Sequence, residues 1–216
     1  MDKKSRAVEV IELIREFGYE CALVGGLAVS VRARERFTRD VDFAVSVSSD
    51  REAEGLTFAL QGKRYRLLSV IENTASGYLA TARFAHPDDG EGQEPTVDLL
   101  FATTGIEHEI VVAAKPVEII PGCTIPVARL PHLIAMKTLS EREGRERDRD
   151  DLRELLAAAS HEDVKEARTL LTLIEERGYH RDKDLLARLG EAQEELRARQ
   201  QRQREGGREL EGDLGP

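Results

Sequence analysis

Apolar positions change their spacing along this chain, and each change marks an element. Val8, Ile11 and Ile14, widened by Leu13 and Phe17, recur with helical spacing, which predicts a helix over 5–17 stopped by Gly18. A short apolar run at 20–24 reads as a strand ending at Gly25-Gly26, and residues 27–34 as one or two helical turns. From 40 to 47 the period falls to two. Val41, Phe43 and Val45 take one face, and Asp40, Asp42 and Ala44 the other, so this is a strand. Helical spacing returns over 50–60, with Gly62 as its stop. Three β-rich runs follow at 65–71, 78–84 and 96–101, with the polar stretch HPDDGEGQEP between the last two as a hairpin-like loop. Residues 117–120 and 124–127, joined by Pro121-Gly122, suggest another strand pair.

Beyond residue 127 the pattern is helical throughout, over 130–140, 149–159 and 162–177. Ser160 suits an N-cap and Gly178 a C-cap. Residues 182–204 have helical propensity but little apolar face, and the end, GGRELEGDLGP, is expected to be disordered. The expected organisation is therefore a mixed α/β (α+β) domain over 1–127, a helical bundle over 128–204 and a disordered tail over 205–216.

Composition narrows the possibilities. The 216 residues suffice for one domain with a helical appendage. No apolar run approaches the length of a membrane span, and MDKKSRAVEVIELI has no signal-peptide core, so a cytoplasmic protein is expected. Cys21 and Cys123 lack metal-site spacing and read as free thiols. The five histidines show no ligand spacing and read as non-catalytic. A net charge of −9 excludes a global basic field for nucleic acid, yet leaves room for local patches. Arg32, Arg34, Arg36 and Arg39 form one such group, and Lys63, Arg64 and Arg66 another.

The chemistry lies in carboxylates placed where a strand should bury apolar side chains. Asp40 and Asp42 are two residues apart, so their side chains leave the same face of the strand, with bases roughly 7 Å apart. Asp98, in TVDLLF, is a second isolated acid in an apolar β run. If its strand lies beside the first, three carboxylates meet. Oxygen-only donors of this kind suit Mg²⁺ or Mn²⁺, and a pair of such ions clamps the oxygens of a phosphoryl transfer. Gly25-Gly26 ends a strand and opens a helix, a place where backbone N–H groups can meet phosphate. No G-K-[ST] follows, so this is not a Walker loop.

Taken in order, Gly25-Gly26, RFTRDVD at 36–42 and the isolated Asp98 resemble the polymerase-β-like nucleotidyltransferase superfamily. LIAMKTL at 133–139, followed by RDRDDLREL at 147–155, resembles AbiEii-type toxin nucleotidyltransferases, in which a helical lysine and an R-D-x-x-D-L motif follow the catalytic domain. The resemblance spans roughly residues 20 to 175. It implies that Asp40, Asp42 and Asp98 hold the metal ions, with Asp98 also able to activate the attacking hydroxyl. Gly25 and Gly26 would cradle the β- and γ-phosphates, with Arg36 and Thr38 supporting the site and Lys137 reaching the triphosphate. Asp148 and Asp151, which share a helix face, would orient that lysine or line the site. Two positions depart from the pattern: Gly26 stands where many members carry Ser, and Leu27 where a small hydroxyl residue is common. The residues alone leave other readings open, a lysine that reaches out to water and a solvated link over 141–151 among them.

The implied activity is transfer of NMP from an NTP to an acceptor hydroxyl. The tRNA 3′ end is the favoured acceptor, gripped by the arginines near 32–39, in a toxin paired with an antitoxin. Protein or small-molecule acceptors are the alternatives within this chemistry. A catalytically inactive binding module is the alternative outside it, and a phosphohydrolase is disfavoured by the absence of a His-Asp metal pairing.

Overall fold

The structure, a computed structural model, describes residues 2–35, 37–73, 77–87, 96–142 and 146–212, with side chains described as far as residue 202. The elements in chain order are α1 (Lys3–Glu16), β1 (Glu20–Val24), α2 (Gly25–Arg32), β2 (Val41–Ser46), α3 (Asp50–Gly62), β3 (Arg66–Glu72), β4 (Leu79–Ala85), β5 (Thr96–Leu100), α4 (Glu107–Ala113), β6 (Lys115–Ile120), β7 (Cys123–Val127), α5 (Leu130–Ser140), α6 (Glu146–Ala158), α7 (His161–Glu176) and α8 (Leu185–Gly212). The mixed α/β fold expected from the sequence is present.

The seven strands form one mixed sheet in the order β3-β4-β5-β2-β1-β7-β6. β2 sits at its centre, antiparallel to β1 and parallel to β5. The central strands bury Leu23, Val41, Phe43, Phe84, Val97 and Leu99 completely. Each such side chain contributes about 1.5–3 kcal/mol relative to exposure. α1 covers part of this core with Ala7, Val10, Ile11 and Ile14, and its free N-terminal N–H groups are met by Asp2, which accepts from Lys4 and Ser5. On the edge strand β3 the alternation fails, leaving Leu68, Val70 and Ile71 exposed.

α5 is buried on most of its circumference, including Leu133, Ile134, Ala135, Thr138 and Leu139. It packs against α2, α6, α7 and α8. That explains its unusually apolar sequence, and it fixes the one cationic side chain of the helix, Lys137, in orientation. α7 starts on a full capping box, in which Ser160 and Asp163 each satisfy the other's backbone N–H.

The element boundaries depart from expectation in four places. α2 begins at Gly25 itself, two residues before the helical turns expected from residue 27. α4 was not expected, because Ile110, Val111 and Val112 carry β-branched side chains that favour strand. It forms around Glu107, whose carboxylate accepts from the backbone N–H groups of Thr103 and Thr104 and from the Thr104 hydroxyl. α6 starts at Glu146, three residues early, which brings Asp148 into its first turn. α8 runs to Gly212, through the glycine pair at 206–207 where the sequence suggested disorder.

Candidate active site

The register of the central strands decides where the acids meet. Val24, the last residue of β1, pairs with Asp42, and Asp42 pairs with Asp98 on β5. Asp98 in turn pairs with Arg83 on β4. Parallel in-register neighbours project from the same face, so Asp42, Asp98 and Arg83 form a row across the sheet. Asp40 lies just before β2. Its Oδ1 accepts from the Thr96 backbone N–H at 3.2 Å and from the Thr96 hydroxyl at 2.9 Å, which ties it to the start of β5.

Gly25 is required by Asp42. Its φ is +63°, and a Cβ built there would lie 2.0 Å from Asp42 Oδ2 and 2.5 Å from Cγ. The strand-to-helix turn thus closes directly over the carboxylate. Gly25→Ala should displace Asp42 and strain the turn. The expected result is a fall in melting temperature of at least about 3 °C and a loss of transfer activity of more than about 100-fold. Thermal denaturation and a transfer assay on the same preparation check both; an unaltered melting temperature would contradict the contact.

The charges are strongly coupled. Burial raises Asp42 to about 7, and the nearby Asp98 and Asp40 push the same way, while Lys137 and Arg83 oppose the rise. Arg83 holds Asp98 in a two-point ion pair, Nε to Oδ1 at 2.8 Å and NH2 to Oδ2 at 2.6 Å. That hydrogen-bonded contact raises the guanidinium pKa further. Sequence reasoning missed Arg83. Its signal was the one that revealed Asp98, a single charged residue inside an apolar β run, LATARFA.

Across the cleft, Lys137 Nζ lies 2.7 Å from Asp148 Oδ1 and 2.7 Å from Asp151 Oδ2. The lysine side chain is 13% exposed, and the two carboxylates are buried. Lys137 therefore does not reach out to bulk water, and Asp148 and Asp151 do not belong to a solvated link.

These groups line one cleft of about 760 Å³. Gly25, Gly26 and Thr38 lie along it with Asp40, Asp42, Asp98, Arg83, Lys137 and Asp148. Asp151 holds Lys137 from behind. Val24, the N-cap of α2, supplies no side-chain cap, so the first N–H groups of the helix are left to other partners. The Thr38 hydroxyl points to the Asp40 carbonyl oxygen at 3.4 Å, not to a carboxylate. Arg36 lies outside the described residues.

The acids are all-oxygen donors and share one cleft, and Asp98 and Asp40 raise the proton affinity of Asp42. That chemistry fits a hard divalent cation. Among the described residues, however, no three acidic, histidine or cysteine side chains are drawn together as a formed metal site. The reason is visible: Asp98 is engaged by Arg83 and Asp40 by Thr96.

Two arginines of the 32–39 group are engaged within the fold. Arg32 donates to the carbonyl oxygens of Ala128 and Val127, at 2.9 and 2.8 Å, and Arg34 pairs with Glu154. In the second group, Lys63 pairs with Glu16. Buried His86 accounts for itself structurally, edge-on to Tyr65 and 3.1 Å from Glu9. Both cysteines are free, and burial pushes the Cys21 thiol up to about 12. Among the described residues, no helix is long and apolar enough to cross a membrane.

The family described as "Nucleotidyl transferase AbiEii toxin, Type IV TA system" matches residues 13–213. No curated protein matches the chain. Among solved structures, an antigenic nucleotidyltransferase-like protein from Paracoccidioides brasiliensis is similar at 16% identity and a TM-score of 0.48, over 87% of this chain and 91% of that one. A lincosamide antibiotic adenylyltransferase, LnuA, is similar at 12% identity and 0.45, over 74% of this chain and 98% of that one. JHP933 from Helicobacter pylori is similar at 15% identity and 0.41, over 97% of this chain and 95% of that one.

Proposed function

The chain belongs to the AbiEii nucleotidyl transferase family, and from that premise we propose that its cleft transfers NMP from a metal-bound NTP to an acceptor hydroxyl, with the tRNA 3′ end as the first candidate. In this reading the chain is a toxin restrained by a cognate antitoxin. The observation that carries the site assignment is the in-register pairing of Asp42 with Asp98, roofed by Gly25 and faced by Lys137.

Each group has a role that follows from its position. The uncapped N-terminus of α2, with Gly25 and Gly26, receives the β- and γ-phosphates through backbone N–H groups. Lys137, held by Asp148 and Asp151, adds a fixed positive charge toward the triphosphate. Asp40, Asp42 and Asp98 would hold Mg²⁺ or Mn²⁺, which supplies charge neutralisation at the phosphates. The acceptor oxygen forms a bond to the α-phosphorus, and the bond from that phosphorus to the bridging oxygen breaks. Pyrophosphate leaves with that oxygen. The acceptor's proton passes to Asp98, which requires Arg83 to give up at least one of its two hydrogen bonds. Such chemistry depends on positioning and charge more than on a protein nucleophile.

Each α-labelled NTP, with Mg²⁺ or Mn²⁺, offered to total RNA and total protein in parallel, tests this. The Asp40→Ala/Asp42→Ala double variant is the control. Label on RNA that the double variant fails to deliver is the expected result, and the labelled nucleotide identifies the NTP. Label on protein alone would overturn the RNA acceptor, and label unaffected by the double substitution would overturn the site.

A further inference from the structure

A second cleft, of about 710 Å³, adjoins the first and shares Thr103, Ser140 and Arg181 with it. Gly25 and Gly26, the phosphate end of the first cleft, do not line the second. Its walls are the β3–β4 end of the sheet, the end of α5 and the connection between α7 and α8. Three cations converge there: Arg142, Arg181 and Lys183.

What distinguishes these cations is how they are held. On neighbouring helices Arg129 and Arg177 are matched by carboxylates, Glu166 and Glu109. Here Arg181 donates to the carbonyl oxygen of Thr103 at 2.9 Å, and Lys183 to the carbonyl oxygens of Leu139 and Glu141. Arg188, just behind, also donates to the Glu141 carbonyl oxygen at 3.1 Å. Neutral acceptors position a cation without cancelling its charge. Among the described residues, none of Arg142, Arg181 and Lys183 forms an ion pair with a carboxylate. The like charges press on one another: burial depresses Lys183, and Arg188, Arg181 and Arg142 depress it further, with Glu141 opposing them. Burial and Arg142 likewise depress Arg181, against an opposing pull from Glu107. Two acids, Glu72 and Asp182, also line the cleft and leave the balance positive.

The backbone is committed to this arrangement. Arg181 and Asp182 have φ of 54° and 56°, two consecutive non-glycine residues in the left-handed region. Each costs about 1–2 kcal/mol in that conformation. The turn delivers Arg181 to the line where the two clefts meet. Ile71, 59% exposed, adds an apolar surface on the sheet side.

We propose that this second cleft binds the phosphodiester backbone of a single-stranded acceptor RNA and directs its 3′-terminal hydroxyl toward Asp98. The inference rests on the proposed transferase reading for the destination of the strand, and replaces the 32–39 arginines as its grip.

The test measures binding apart from transfer. A 5′-fluorescein single-stranded RNA of about 10 nucleotides with a free 3′-hydroxyl is titrated with wild type, Arg142→Gln/Arg181→Gln and a charge-matched surface control, Arg51→Gln/Lys165→Gln. The expected result is at least about 10-fold weaker binding by the cleft variant alone, with its salt slope reduced by about 1–2. Arg142→Gln, whose side chain makes no hydrogen bond among the described residues, gives a smaller loss in the same direction and guards against misfolding of the double variant. Equal weakening by the surface control, or wild-type affinity in the cleft variant, would overturn the proposal. So would failure of the wild-type protein to bind the RNA at low salt. Loss of binding in the cleft variant without any labelled product from wild type would leave the cleft assigned and remove the transferase reading instead.

Discussion

Asp42→Asn should abolish transfer while making the resting protein more stable. The loss of activity is expected to be about 10³-fold or more, because the substitution removes the central charge of the site. The gain in stability follows from the elevation of Asp42 to about 7 in the folded protein, caused first by burial and then by Asp98 and Asp40. In the unfolded chain the group titrates near 3.8. A carboxyl raised on folding favours the fold when protonated, so its contribution is complete below about pH 4 and is lost as the pH rises through about 7. Asparagine imitates the protonated form at every pH. The melting temperature of Asp42→Asn, without divalent cation, should therefore match wild type near pH 4. It should rise above wild type through pH 7 and level off near pH 8, by a few degrees or more. A variant less stable than wild type at pH 8 would show that Asp42 is held by a favourable partner and not by the architecture around it.

Lys137→Met should do the reverse, lowering stability and activity together. The substitution keeps most of the unbranched side chain but leaves Asp148 and Asp151 buried without their shared cation. Breaking a buried ion pair from one side costs about 3–5 kcal/mol, or about 6–20 °C in a chain of this size. Activity should fall by about 100-fold or more if the lysine charge acts on the triphosphate. The two effects can be separated. In Lys137→Met/Asp148→Asn/Asp151→Asn the stranded charges are gone, so most of the melting temperature should return, but the activity should not. Recovery of activity in the triple variant would mean that Lys137 serves only to neutralise the two acids of α6.

The acids were legible as isolated charges in apolar β runs, Asp42 and Asp98 within strands and Asp40 at the entrance to β2. Their convergence was conditional on strand order, which depends on pairings between residues far apart in sequence. Arg83 was legible by the same interruption but had no motif to draw attention to it. Gly25 was read as a phosphate cradle; its clash with Asp42 belongs to the antiparallel β1–β2 register, which the local sequence does not contain. The arginines near 32–39 looked free because their partners, the carbonyls of Val127 and Ala128 and the carboxylate of Glu154, lie about a hundred residues away. α4 was hidden by propensity, which its packing against β1 and β2 overrides.

The composition changes near residue 127, but one continuous apolar core runs from Ala7 on α1 to Ala192 on α8. Arg32, on a helix of the first half, is bonded to the two carbonyls that straddle that boundary. A fragment ending there would expose α2 and strip the acids of the lysine opposite them. The two halves therefore cannot be exchanged between relatives as interchangeable cassettes. A chimaera joined at this point inherits a seam through the middle of its own core, and a useful crossover would have to carry α2 and α5 together.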